Sequence, residues 1–149
     1  MAVVDLPDEA ATAALAERIS ALAATGDIIA LKGDLGAGKT TFARGFIRAC
    51  GGTEEVPSPT FTLVQEYATQ RGVLAHVDLY RVLGDNLPQE LARLGLRERR
   101  GEGAMLLVEW GDAAVDALGG PPVRHVSLAI AGESARVATL TGFPAGGIV

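Results

Sequence analysis

A chain of 149 residues that is 48% hydrophobic and 21% charged has the length of one domain and enough apolar side chains to bury a core, which excludes a disordered chain. Its 18 acidic and 13 basic residues give a formal net charge of -5, which excludes a strong general attraction to nucleic acid, because that term needs many Lys and Arg facing phosphates. Cys50 is the one cysteine, so no internal disulfide forms; residues 1–10 carry Asp5, Asp8 and Glu9 without a basic side chain, unlike a secretory signal, and no apolar run is long enough to span a membrane, so a cytoplasmic location is expected.

Val3 and Val4 predict a short edge strand. Pro7, Asp8 and Glu9 read as the first turn of a helix, where proline is tolerated and acids suit the dipole. Ala11, Leu15, Ile19 and Leu22 continue it at helical spacing. Residues 28–31 are a short apolar run ending in a glycine-rich turn, which predicts a buried strand and then a loop. The next helix starts near Gly38 and places Phe42, Phe46 and Cys50 on one face. Cys50 therefore reads as a core residue rather than a nucleophile, and Gly51 and Gly52 end the helix. Pro57 and Pro59 force a loop over residues 56–59. Residues 62–67 and 73–79 read as two strands joined near Gly72. Asn86, Leu87, Pro88 and Gln89 start a helix with Leu87, Leu91 and Leu94 inward. Residues 104–108 form a continuous apolar run, the mark of a strand covered on both faces. Residues 123–130 and 136–141 read as a hairpin turning near Gly132, and from Gly142 the chain reads as a loose tail. No internal repeat interrupts this order. The expectation is one domain over residues 1–149, an α/β sheet of the P-loop NTPase kind with a parallel centre, antiparallel additions and helices on both faces.

Gly33-Asp34-Leu35-Gly36-Ala37-Gly38-Lys39-Thr40 matches G-x-x-x-x-G-K-[ST] without a gap. Glycines let the loop from Leu35, Gly36 and Ala37 to Gly38 curl so that its N–H groups point at phosphate oxygens, and the helix start behind adds partial positive charge. Lys39 supplies a compact charge for the β- and γ-phosphates, the Thr40 hydroxyl binds magnesium, and Thr41 is a further candidate for phosphate contact. The motif follows a predicted strand and opens a predicted helix, which is its confirming context. ATP and Mg2+ are the expected ligands and hydrolysis the expected reaction.

Magnesium usually keeps several waters, so few protein ligands are needed beside Thr40. Glu109 ends the apolar run of residues 105–108 and Asp78 ends that of 73–77, both at the carboxyl ends of predicted strands, where ligands sit in open α/β sheets. Glu109 is assigned to the metal side. Asp78 is assigned to a metal-bound water or the attacking water. Ser58 and Thr60, with Thr62, lie where switch loops sense a γ-phosphate, although a turn with helpful hydroxyls reads equally well. His76, on the same strand face as Asp78, reads as a satisfied core residue. For His125, in the late predicted strand, the sequence alone offers no recognisable functional pairing. Trp110 reads either as a core residue or as packed near the nucleotide. Arg93, Arg97, Arg99 and Arg100 read as a solvated face, with docking of an acidic partner or RNA phosphate as the alternative.

In order and spacing, Gly33 through Phe42, then Ser58-Pro59-Thr60-Phe61-Thr62-Leu63, His76-Val77-Asp78-Leu79-Tyr80-Arg81 and Val108-Glu109-Trp110 resemble the TsaE family. Leu6-Pro7-Asp8-Glu9, Glu90-Leu91 and Gly95 also fit, and the resemblance covers nearly the whole chain except its last residues. It implies the ATPase subunit of the bacterial machinery that makes threonylcarbamoyladenosine in tRNA. Such a subunit does not itself transfer the threonylcarbamoyl group. It binds a TsaD–TsaB-type heterodimer, meets tRNA through that complex, and hydrolyses ATP to sustain turnover. The resemblance further implies Thr40 and Glu109 on magnesium, Asp78 as essential for hydrolysis, and adenine and ribose contacts at Glu9 and Gly132. Gln89 departs from the acid that often precedes Glu90; the departure touches a candidate partner-facing surface and puts no catalytic residue in doubt.

Three other readings compete. A small-molecule kinase needs an acceptor pocket and a lid, for which only residues 96–100 offer material. A GTPase-type switch lacks its guanine-reading Asn-Lys-x-Asp motif here. A nucleotide-binding scaffold with little hydrolysis shares with the ATPase reading the absence of an identifiable arginine finger, which is worth roughly a thousandfold or more in rate.

Overall fold

The computed structural model describes residues 2–34, 36–52, 64–79, 87–110, 118–120 and 123–143. In chain order its elements are β1 (Ala2–Leu6), α1 (Glu9–Leu22), β2 (Ile28–Gly33), α2 (Lys39–Ala49), β3 (Val64–Thr69), β4 (Gly72–Asp78), α3 (Leu87–Leu94), α4 (Leu96–Gly101), β5 (Met105–Glu109), β6 (Val123–Ile130) and β7 (Arg136–Thr141). The strands form one sheet in the order β1-β7-β6-β2-β5-β4-β3. The central four, β6, β2, β5 and β4, run parallel. Antiparallel β3 closes one side, and β7 with β1 closes the other. The expected parallel centre with antiparallel additions is therefore the observed sheet.

Both faces of the parallel centre are covered, which is why β2 and β5 read as unbroken apolar runs. Ile29, Leu31, Leu74 and Leu107 pack with Phe42 and Phe46 of α2 and Leu15 and Ile19 of α1. The alternate residues Ile28, Ala75, Val77, Leu106 and Val108 pack with Leu91 of α3 and Leu96 of α4. Phe42 and Phe46 stack with ring centroids 6.3 Å apart and are fully buried, worth roughly 2–3 kcal/mol each in area removed from water. Helices α1 and α2 approach closely because residue 45 is glycine: a Cβ there would come within 3.2 Å of the Ala13 backbone. Cys50 is buried in the same cluster, and burial pushes its thiol up against the lowering effect of Arg71, as suits a packing residue rather than a nucleophile.

Three sequence expectations shift. The Asp8 carboxylate accepts a hydrogen bond from the Ala11 N–H at 2.9 Å and is the N-cap of α1, so Pro7 lies before the helix and not in its first turn; a carboxylate oxygen satisfies an orphan donor that proline could not. Arg100 is no part of a solvated face. Its guanidinium donates to the carbonyls of Gly26 at 2.7 Å, Leu118 at 2.9 Å and Gly120 at 2.5 Å, while Arg93, Arg97 and Arg99 are exposed. Gly142 and Phe143 are held rather than loose: Arg124 donates to the Gly142 carbonyl at 3.0 Å and its guanidinium lies 5.2 Å from the Phe143 ring centroid. Residues 144–149 lie outside the described residues, as do Asn86 and residues 53–63, on which the expected loop over 56–59 falls.

Candidate functional site

Parallel strands all deliver their carboxyl ends to one edge of the sheet, where ligands sit in open α/β folds. β2 ends at Gly33, against the neighbouring strand: a Cβ there would meet the Leu128 carbonyl oxygen at 2.8 Å and Ala37 Cβ at 3.1 Å. The chain then turns through Gly36 (φ 84°) and Gly38 (φ 102°), left-handed conformations that side chains other than glycine rarely adopt. Ala37 is buried and its N–H donates to the Asp34 carbonyl at 3.0 Å. Gly38 is the N-cap of α2 and offers no side-chain cap, and no acid stands in the first turn. The contrast with α1, capped by Asp8 and carrying Glu9 in its first turn, is chemical: the α2 N-terminus keeps its partial positive charge and unfilled N–H groups available to an anion.

Lys39 opens α2 and folds back so that Nζ donates to the Gly33 carbonyl at 2.5 Å. The same Nζ lies 3.9 Å from Glu109 Oε1 and 4.8 Å from the centroid of the Trp110 ring. Trp110, only half-buried, thus packs against Lys39 rather than inside the core. It holds a left-handed backbone (φ 61°), and its N–H donates to the Leu31 carbonyl at 2.9 Å; that conformation costs a bulky residue roughly 1–2 kcal/mol and is characteristic of functional turns. Asp78 and Glu109 stand opposite one another in the β4–β5 register, which brings two carboxylates 31 positions apart in sequence to one edge.

One cavity of about 290 Å³ is lined by Glu9, Gly36, Gly38, Lys39, Thr40, Thr41, Asp78 and Glu109. A second, of about 420 Å³, shares Glu9, Gly36, Gly38 and Thr41 with it and extends toward Thr12, Glu133, Ser134 and Arg136. Together they make a trough that runs from the paired carboxylates across the glycine loop to the β6–β7 turn. Of the sequence-predicted residues, Glu9, Gly36, Gly38, Lys39, Thr40, Thr41, Asp78 and Glu109 meet here. Gly132 does not line the trough, but its carbonyl accepts from Arg136 at 3.2 Å. Leu35, Ser58 and Thr60 lie outside the described residues. His125, half-buried on β6, lines neither cavity.

One contributor, Arg136, went unread in the sequence, and a second, His76, was read without its partner. Arg136, 100 positions from the glycine loop, donates to the Gly36 carbonyl from Nη2 at 2.9 Å and from Nε at 3.2 Å, tying the β6–β7 turn to that loop. Nothing local in the sequence signals it. His76 is wholly buried, and its Nε2 lies 2.8 Å from Glu109 Oε2; it is a core histidine, as read, but its partner is the site's carboxylate. The i, i+2 spacing to Asp78 was the available signal.

The residues present fit a nucleoside triphosphate with magnesium. The left-handed glycines, the uncapped helix start and Lys39 suit phosphate oxygens, and Thr40, Asp78 and Glu109 offer the hard oxygen donors that magnesium takes. The sequence profile of the TsaE family, described as threonylcarbamoyl adenosine biosynthesis protein TsaE, matches residues 6–138. A Bacillus subtilis (strain 168) protein named tRNA threonylcarbamoyladenosine biosynthesis protein TsaE is 39% identical over 137 residues, which cover 91% of this chain and 80% of the relative. A Rickettsia felis protein of the same name is 37% identical over 136 residues, covering 91% and 77%. The crystal structure of YdiB from Bacillus subtilis matches the fold with a TM-score of 0.69 at 33% sequence identity, over 93% of this chain and 83% of that one. With its profile match over most of the sequence and these relatives alongside, the chain belongs to the TsaE family.

Proposed function

We propose that this chain is a cytoplasmic, ATP-binding and ATP-hydrolysing subunit required for threonylcarbamoyladenosine formation in tRNA, acting on a TsaD–TsaB-type heterodimer to sustain turnover. The observation that carries the enzymatic part is the convergence of Lys39, Thr40, Asp78 and Glu109 on one cavity beside an uncapped helix start. The names of the relatives support the pathway. Backbone N–H groups of Gly36 and of residues 38–40 hold the β- and γ-phosphates, while that of Ala37 stays on the Asp34 carbonyl, and Lys39 exchanges its Gly33 carbonyl for phosphate oxygen. Asp78 orients the water that attacks the γ-phosphorus, giving ADP and phosphate. Thr40 and Glu109 hold magnesium, which when bound neutralises charge on the phosphates. Glu9, Arg136 and the turn at Gly132 border the nucleoside end. The chain does not itself transfer the threonylcarbamoyl group, and it meets tRNA through the complex.

Hydrolysis by the isolated chain is expected to be slow, since catalysis of this kind rests on positioning and charge that a partner completes. The test is ATP hydrolysis by the chain alone and with a purified TsaD–TsaB-type heterodimer and unmodified tRNA, with Lys39→Ala and Glu109→Ala as controls. Stimulation by the partner, with multiple-turnover tRNA modification that requires the wild-type chain, is the expected result. A heterodimer that neither binds nor changes the rate contradicts the pathway reading. A phosphorylated small molecule in a substrate screen would then point to a kinase.

A further inference from the structure

Behind the cavity lies a polar contact to which the hydrolysis described above gives no role. His76 is 0% exposed and stands on the α1–α2 face of β4, in the same stripe as buried Leu74 and beside Leu107 of β5. An apolar side chain is what such a position calls for. A histidine there carries two polar atoms into the core, and among the described residues its Nδ1 has no hydrogen-bond partner, an arrangement that costs stability. Its Nε2 meets Glu109 Oε2 at 2.8 Å, while Glu109 Oε1 faces Lys39 Nζ at 3.9 Å. With Glu109 as a carboxylate, which only accepts, the contact is a hydrogen bond in the histidine tautomer that carries its proton on Nε2.

We propose that His76 is a positioning residue for Glu109: by holding Oε2 from the core side, it presents Oε1 to the cavity and to the metal proposed there. A glutamate at the end of a strand has three side-chain torsions, and the terminal one is broad. Lys39 alone, at 3.9 Å and itself bonded to the Gly33 carbonyl, fixes neither the rotamer nor the choice of oxygen. A donor fixed in the core does both, in the manner of the outer-shell partners that orient metal-binding side chains elsewhere. This inference rests on the proposed hydrolysis.

The experiment compares wild-type chain with His76→Leu, which fills the volume without a donor, His76→Gln, whose amide nitrogen reaches the Nε2 position, and His76→Asn, whose amide nitrogen does not. Affinity for a non-hydrolysable ATP analogue is measured across a magnesium titration, alongside kcat and KM for ATP and thermal unfolding. The magnesium concentration for half-saturation is expected to rise, or kcat to fall, roughly 10- to 100-fold in His76→Leu. KM for ATP should change little, thermal stability should be kept or raised, and His76→Gln should recover most of the loss. If His76→Leu does not fold, a loss in His76→Asn that His76→Gln does not share carries the same conclusion. Magnesium dependence and kcat within twofold of wild type in His76→Leu, or in both amide variants, while Glu109→Gln abolishes both, overturn the positioning role and leave the hydrolysis reading intact. Absence of magnesium-dependent nucleotide binding in the wild-type chain overturns both.

Discussion

Arg71, Arg100 and Arg124 at the amino ends of the parallel strands and Lys39 at their carboxyl ends are used in opposite ways. At the amino ends, three arginines are spent on backbone carbonyls. Arg71 holds those of Ser20 and Ala23 at the end of α1. Arg100 holds Gly26, Leu118 and Gly120. Arg124 holds Leu22 and Gly142 and pairs with buried Asp27 at 3.1 Å. At the carboxyl ends Lys39 has one carbonyl and a carboxylate at 3.9 Å, and it borders an open cavity. The planar fork of arginine suits fixed carbonyls, whereas the compact ammonium of lysine can change partners. The teaching is that charge in a sequence does not by itself mark a binding surface. What marks one is charge that the fold leaves incompletely paired, next to space for a ligand.

That contrast can be broken at either end. The largest effect is expected at the carboxyl end: Asp78→Asn should slow ATP hydrolysis by about 100-fold or more, as removal of a group that orients or activates the nucleophile does, with thermal unfolding little changed. Steady-state phosphate release measures it. At the amino end the signs reverse. Arg100→Ala strips three carbonyls of their donor and should destabilise the fold by roughly 2–3 kcal/mol, read by denaturant melts, with ATP affinity kept. Arg136 lies between these extremes, because it fastens the β6–β7 turn to Gly36. Arg136→Ala should weaken nucleotide binding by about fivefold, equivalent to roughly 1 kcal/mol, in a fluorescent-nucleotide titration. The smallest effect belongs to the caps: Asp8→Ala removes the α1 N-cap and should cost about 1 kcal/mol of stability, whereas α2 has no side-chain cap to lose.

The site end was the more legible of the two. The glycine loop is contiguous in sequence, and each of its residues acts through local backbone geometry, so Gly33 through Thr40 could be placed before any fold was known. Asp78 and Glu109 were found because a carboxylate that ends an apolar run marks a strand's carboxyl end; their meeting then followed from parallel pairing, here in direct register. Arg136 and Arg100 were not legible. Their partners are backbone carbonyls far along the chain, and a carbonyl carries no residue-specific signal. Trp110 stayed ambiguous because aromatic residues serve both cores and sites, and only its left-handed backbone and the Lys39 contact decide it. The Pro7 shift has the same lesson at smaller scale: both Pro7 and Asp8 suit a helix start, and the Ala11 hydrogen bond selects the carboxylate as the cap.

The proposed nucleotide site at the carboxyl end of the sheet depends on Lys39. The most direct measurement is calorimetric titration of a non-hydrolysable ATP analogue, with magnesium, into the wild-type chain and into Lys39→Ala, with thermal unfolding of both. Binding by the wild-type chain is expected to weaken at least about tenfold in Lys39→Ala, a difference of roughly 1.4 kcal/mol, with unchanged unfolding. No binding by the folded wild-type chain, or binding that Lys39→Ala leaves unaltered, would contradict it.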